Sequence, residues 1–537
     1  MYEHPDLCQD LCASAQACSR RRWRRVQYGF AIDQRTCIGC HACTVACKTE
    51  HEVPVGQFRT WVKYVDQGEF PNNTRDFGVM RCNHCTDAPC VNICPTKALY
   101  KRKDGIVDFD GDRCIGCKSC MQGCPYDAIY IDEDTHTAAK CNFCAHRIDE
   151  DLEPACVVVC PTHSIWVGDL DDPGSGISQL INSNPVTVRA PEQNTGPNVF
   201  YLGADRAVLD PLAAPVDQSY MFSTPDQHRI DVGQDMSVDP VSGAKTTLNT
   251  PHPRPWGWRV TTYMWTKAVG GGAVLLAALA VLLGLDLGVL TTIVAPALGV
   301  LGVGATGVLL VTDLKRPERF LYILLKSNLK SWLVLGSYAL AAFAAVSGVW
   351  LLVGIGVETG LIGSADTAFT VLAVLGIPTG VMVAGYTAFL FGQAEGRDLW
   401  QSPLLFWHLA VQAVMVGSGA LAVAAAIAGT DPAGSALIAR VFAVATVVHV
   451  LMLLLEYGGK HASRQATVAA HMITHGRYAR LFWFGGVLAA VVVAALAFPG
   501  WGGGAAVLVA VGGLIAQGAL LAYESVFVRA GQDAPLS

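Results

Sequence analysis

Nineteen cysteines, all at or before Cys160, are the residues of this 537-residue sequence whose type and spacing could do chemistry. Cys37, Cys40, Cys43 and Cys47 form CxxCxxCxxxC, and Cys114, Cys117, Cys120 and Cys124 repeat it with Pro125 following. Cys82, Cys85, Cys90 and Cys94 form the variant CxxCxxxxCxxxCP, while Cys141, Cys144, Cys156 and Cys160 stretch the middle gap to eleven residues. Three cysteines on one tight loop can hold three corners of an iron–sulfur cubane. The fourth, a few residues on, has entered a helix, points away and ligates a neighbouring cluster. Sixteen thiolates then supply four [4Fe–4S] clusters. Zinc also takes four thiolates, but zinc sites rarely use CxxCxxCxxxCP runs. Disulfides fit poorly, because CxxC cysteines lie too close together to pair sensibly and are typical of metal ligation. Cys8, Cys12 and Cys18 have no fourth partner nearby and read as free thiols in an N-terminal tail.

The elements that must position these thiols are short. CIGCHAC at 37–43 is echoed by CIGCKSC at 114–120, an internal repeat. After each ligand proline, CPTKALY, CPYDAIY and CPTHSIW lead from a helix end into a short strand, and Asp104-Gly105 between apolar pairs predicts a hairpin turn. The expected fold of this half is α+β and ferredoxin-like, built as two paired modules of two clusters each. Arg20, Arg21, Arg22, Arg24 and Arg25 could be mistaken for a twin-arginine signal, but no apolar stretch follows before Cys37, so they read as a solvated basic patch.

The long apolar runs all come after Tyr263. Eight segments, near 266–285, 289–311, 332–355, 367–391, 404–428, 434–457, 481–498 and 503–522, are long enough to cross about 30 Å of hydrocarbon at ~1.5 Å per residue. They are rich in Gly and Ala, which lets spans approach closely, so an all-α eight-helix transmembrane bundle is expected. Lys315, Arg316, Arg319, Lys326, Lys330, Arg397, Lys460, Arg464, Arg477 and Arg480 all fall in loops of one side, and only Arg440 lies toward the other. The positive-inside rule then places both termini, and the clusters, in the cytoplasm of a multi-pass membrane protein. Ionisable groups within spans are costly and usually functional. Tyr263, Lys267, Asp313, Tyr386, His408, His449, Glu456 and Tyr457 lie toward the cluster side, and the first seven are the candidates for binding a quinone, which needs donors to its carbonyls and a proton source. Interfacial anchoring or snorkelling is the plainer explanation for Tyr263 and Lys267. The net charge of -6 sums over unlike halves and points to no nucleic-acid partner.

Four cysteine groups in this order, with the widened fourth group CNFCAHRIDEDLEPACVVVCP, resemble the electron-transfer subunits of the complex iron–sulfur molybdoenzymes, polysulfide and dimethyl sulfoxide reductases among them. DLKRPERFLYILLKSNLKSW at 313–332 and WGWRVTTYMWTKA at 256–268 resemble the eight-helix NrfD-type anchor of polysulfide reductase. The resemblance implies a fusion of the two, with domains at 1–26 (basic tail), 27–171 (four-cluster domain), 172–257 (a connector rich in Pro, Asp, Asn, Gln and Ser) and 258–530 (membrane domain). It also implies ligand sets that exchange the remote cysteine: Cys37, Cys40, Cys43 with Cys160; Cys82, Cys85, Cys90 with Cys124; Cys114, Cys117, Cys120 with Cys94; and Cys141, Cys144, Cys156 with Cys47. The expected function is an electron relay between a molybdopterin-containing catalytic partner and menaquinone or ubiquinone in the lipid membrane. A redox-driven proton or ion pump is one alternative, with Asp286, Glu358 and Arg440 as the outer-side groups it could use. A b-type cytochrome with His408 and His449 as axial ligands is the other.

Overall fold

The computed structural model describes residues 26–214, 243–250 and 253–537; Cys8, Cys12, Cys18 and the arginines at 20–25 lie outside the described residues. In the N-terminal half, the strand Tyr28–Asp33 runs antiparallel to Ile165–Asp169 and parallel to Val199–Leu202, which Val186–Thr187 extends. Phe30 and Ile32 of the central strand share a core with Cys43, Val62, Val79, Phe143, Cys156 and Tyr201, so the cluster loops are packed directly onto this sheet. Thr60–Gln67 and Thr74–Arg81 form a long antiparallel pair. The two ligand-proline hairpins follow: Leu99–Lys101 with Val107–Phe109, turning at Gly105 with φ of 84°, and Ile129–Ile131 with Ala138–Lys140.

The stretch 172–257 is more than a connector. Val199–Leu202 supplies an interior strand of the first sheet, and Lys245–Leu248 pairs with Thr60–Gln67. Tyr201 is fully buried, and its hydroxyl donates to the Val79 carbonyl at 3.0 Å. These residues are therefore part of the cluster domain's core. Short strands in a Pro- and Asn-rich context escape a periodicity reading, which needs a longer window.

Eight apolar helices follow: Trp258–Leu282, Leu290–Asp313, Trp332–Glu358, Asp366–Gly392, Leu405–Ala428, Pro432–Gly458, Leu481–Gly502 and Ala506–Asp533. The first span lies at the centre, against the second, fourth and fifth. It begins well before the expected 266, and Val260 and Tyr263 of its first turns line a cleft shared with Cys117 and Ser119 of the cluster domain. A Cβ on Gly272 would overlap the carbonyl of Ala413, and one on Gly417 would overlap the backbone of Gly272, so the first and fifth spans cross with backbones touching.

The segment 313–332 joins the halves. Backbone N–H groups of Lys315 and Arg316 donate to the Gly116 and Ile115 carbonyls at 3.3 and 3.2 Å. Arg319 donates to the carbonyls of Gly111 (2.7 Å) and Cys114 (3.1 Å), Asn328 to that of Cys94 (2.8 Å), and Ser331 to that of Ile93 (2.7 Å). Gly116, in the left-handed region with φ of 68°, has no space for a side chain, since a Cβ there would stand 2.6 Å from that of Lys315.

Candidate functional site: a cysteine array ending at an apolar cleft

Cys37, Cys40, Cys43 and Cys160 line one small cavity between the first sheet and the helix Ala42–Glu50. Several of the remaining thiols act on one another electrostatically. Cys47 feels Cys141, Cys156 and Cys144; Cys90 feels Cys124, Cys82 and Cys85; Cys120 feels chiefly Cys117, Cys114 and Cys94. The full ligand sets remain those that the family resemblance implies. The electrostatic influence that passes between sets gives an order: Cys43 feels Cys156, Cys141 feels Cys82, and Cys120 feels Cys90. The array therefore runs as a row from the cavity of Cys37 to the loop of Cys117.

The surroundings fit cubanes. Burial pushes the thiols of Cys43, Cys85, Cys117 and Cys144 up to about 12, so thiolates here need a positive partner, which a coordinated metal provides. Backbone N–H groups of Ser164, Ala138 and Gly116 donate to the sulfurs of Cys160 (3.2 Å) and Cys114 (3.3 and 3.4 Å). At Cys160 burial is outweighed by such bonds from Ser164 and Thr162, and its thiol lies below the ordinary value. Zinc would need its donors converged on one ion at ~2.3 Å, and among the described residues no three His, Cys, Asp or Glu side chains are so arranged. At the Cys37 end of the row Cys40 and Ile38, which line the same cavity, are both exposed.

At the other end, Cys117 and Ser119 form one wall of a cleft whose other walls are Trp256, Val260, Tyr263, Asp313 and Tyr386, with Leu333 and Leu340 of the third span. The cleft is narrow, with about 90 Å³ of free space between these walls. Three of the seven candidates thus line it: Tyr263, Asp313 and Tyr386. Lys267 stands behind, 4.9 Å from the Tyr386 ring centre, with Nζ donating to the carbonyls of Val383 (2.9 Å) and Ala384 (2.6 Å).

His408, His449 and Glu456 line no part of that cleft. They form a buried network of their own, His408 Nε2 to His449 Nδ1 at 2.9 Å and His408 Nδ1 to Glu456 Oε2 at 3.2 Å, with the Tyr523 ring against both imidazoles. The direct bond between the histidines leaves no gap for an iron and macrocycle, which counts against the b-type cytochrome. The outer-side groups are used in local structure: Asp286 caps Gly288, Glu358 accepts from Thr292, and Arg440 donates to the Trp501 carbonyl.

Sequence reasoning missed two groups here. Lys118 sits between Cys117 and Cys120, and its Nζ pairs with Asp313 at 2.7 Å, both largely shielded. A signal existed in the repeat, where His41 occupies the matching position of CIGCHAC. Glu524, buried on the last span, is the carboxylate that acts electrostatically on Lys267.

Comparison with known proteins matches residues 246–529 to the family model "Polysulphide reductase, NrfD" and residues 74–170 to "4Fe-4S dicluster domain". The protein belongs to the NrfD family. Its N-terminal third is 45% identical over 192 residues to a subunit of tetrathionate reductase from Salmonella typhimurium, covering 35% of this sequence and 77% of that one. It is also 40% identical over 188 residues to a polysulfide reductase component from Wolinella succinogenes (34% of this sequence, 98% of that one), and 44% identical over 163 residues to protein NrfC of Escherichia coli (30% and 73%). This member of the NrfD family is thus an iron–sulfur electron-transfer subunit fused to its own eight-span membrane domain.

Proposed function

We propose that this protein relays electrons between a molybdopterin-containing partner and the quinone pool through four [4Fe–4S] clusters, held by the four cysteine sets named for the row. When bound, the clusters supply one-electron transfer. The protein's own residues do the rest. The sheet and hairpins hold the thiolates in one row, and the exposure of Cys40 and Ile38 at its end suits a redox partner. At the membrane end Tyr263 and Tyr386 offer hydroxyls to quinone carbonyls, and Asp313, held by Lys118, offers a proton-exchanging carboxylate. Lys267 orients Tyr386 from behind. His408, His449 and Glu456 are a buried store of protonatable groups beside this machinery. We assign residues 27–214 and 243–250 to the cluster domain and 258–530 to the quinone-reactive domain, and we place the cluster domain on the cytoplasmic face.

The observation that carries the reading is that a cluster-loop cysteine, Cys117, and three ionisable side chains of the spans line the same apolar cleft. Anaerobically purified full-length protein in nanodiscs, its clusters reduced with dithionite, should be reoxidised by menadione. Iron well below sixteen per polypeptide, or clusters indifferent to every quinone offered, would sink the proposal. Copurification of the native complex with molybdenum or tungsten tests the partner, and protease accessibility in vesicles of known orientation tests the sidedness.

A further inference from the structure

We propose that Arg81 is the shared counter-charge of the two clusters furthest from the membrane and sets the reduction potential of both. The inference rests on the ligand sets of the proposed function.

Arg81 closes the strand Thr74–Arg81, directly before Cys82, and is fully buried. Its guanidinium lies 4.4 Å from the ring centre of Phe30, which stacks on Phe143 at 4.1 Å. Nη1 donates to Cys156 Sγ at 3.3 Å. Nε and Nη2 have no hydrogen-bond partner among the described residues, and no described carboxylate pairs with this side chain. The strongest negative groups acting on it are thiols: Cys156 and Cys141 of one set and Cys43 of the next.

A buried guanidinium without an anion is a strongly unfavourable arrangement, because little of its lost hydration is replaced. Other cations of the array are provided for differently: Lys118 has Asp313, and Lys140 donates to the carbonyls of Val107 and Cys141. At Arg81 the compensating charge is supplied by the clusters themselves. A cubane with four thiolates is anionic and gains a further negative charge on reduction, so a fixed cation between two cubanes favours the reduced form of each. Net charge and hydrogen bonds to sulfur are among the levers that set cluster potentials. Arg81 supplies both to one cluster and charge to the other, and in a dry interior that charge is felt across the gap. It also lowers the repulsion that an electron on one cluster exerts on its neighbour.

The test is a redox titration of the full-length protein followed by electron paramagnetic resonance, with iron counted on every preparation. In R81Q, which keeps a donor but loses the charge, the midpoints of two clusters should fall by at least a tenfold change in the reduction equilibrium, or ~59 mV for a one-electron couple. The other two should stay in place. R81K, which keeps the charge and loses the fork, should recover at least half of that shift. Equal midpoints in R81Q and R81K at full iron would overturn the proposal, as would a uniform shift of all four signals. If R81Q loses iron, R81K with full iron and a tenfold or greater fall in both midpoints would also overturn it. Wild-type protein lacking four cluster signals would instead refute the ligand assignment on which the inference stands.

Discussion

Asp313 ends its span with its carboxylate at once against Lys118 of a cluster loop and on the wall of the cleft. D313N keeps the shape, removes the charge and leaves the Lys118 ammonium without its anion. Without the carboxylate that exchanges a proton with the quinone, cluster reoxidation by menadione should slow by about tenfold or more with iron content unchanged. Y386F should show a smaller loss, confined to the quinone step. Lys63 makes a prediction of a different kind. Burial, with Arg189 adding to it, brings its ammonium down to about 7 in the folded protein, against an ordinary value near 10.5. Between these values the unfolded protein holds a proton that the folded protein has released, so the contribution of Lys63 to stability rises with pH from about 7 to about 10 and is flat below that window. The unfolding midpoint of wild type should therefore gain on that of K63M as pH rises from 7 to 9; a constant difference would show that Lys63 is not buried as an amine. At this scale the cysteine chemistry was legible, because cluster ligation imposes spacing on the sequence itself. The quinone candidates were half legible. An ionisable residue in an apolar span announces itself, but the sequence records its depth and not its direction around the helix. Tyr263, Asp313 and Tyr386 face one cleft, whereas His408, His449 and Glu456 face each other.

At the scale of elements, the crossing of the first and fifth spans depends on two glycines that permit backbone contact at Gly272 and Gly417. G272V would drive a branched side chain into the Ala413 carbonyl and separate the most buried span from its neighbour. Overpacking of this kind costs ~1–3 kcal/mol or more. We expect a lower thermal midpoint in detergent and a smaller recovered fraction, whereas G304V, at a glycine whose Cβ would meet nothing, should behave as wild type. Eight spans were readable from length and apolarity alone, and the hairpins from their Gly turns. The strands Val199–Leu202 and Lys245–Leu248 were not, because each has four residues and its pairing partner lies more than 150 residues earlier in the sequence. Loop charge carries a second meaning. Arg316, Arg319, Arg397 and Arg464 all hold partners in the cluster domain: the carbonyls of Thr135 and Gly111, the Gln122 amide oxygen and the Asp210 carboxylate. The asymmetry of basic residues therefore also marks the face on which the cluster domain docks.

For the whole molecule, the order of the thiol sets makes the two ends of the row unequal. In the proposed ligand sets, Cys117 belongs to the set that touches the cleft, and Cys40 to the set that is exposed at the far end. C117A should leave three clusters with no path to a quinone, so that after reduction by dithionite they stay reduced when menadione is added. C40A, by contrast, removes only the outermost member; the remaining three should reoxidise at close to the wild-type rate, while exchange with a soluble partner at the far end is lost. Absorbance in the iron–sulfur region, followed by stopped flow at matched iron content, reads both outcomes. A wire has a sequence and a pool does not: if C117A and C40A slow menadione reoxidation equally, electrons reach the quinone from more than one cluster, and the row of sulfurs is not the route.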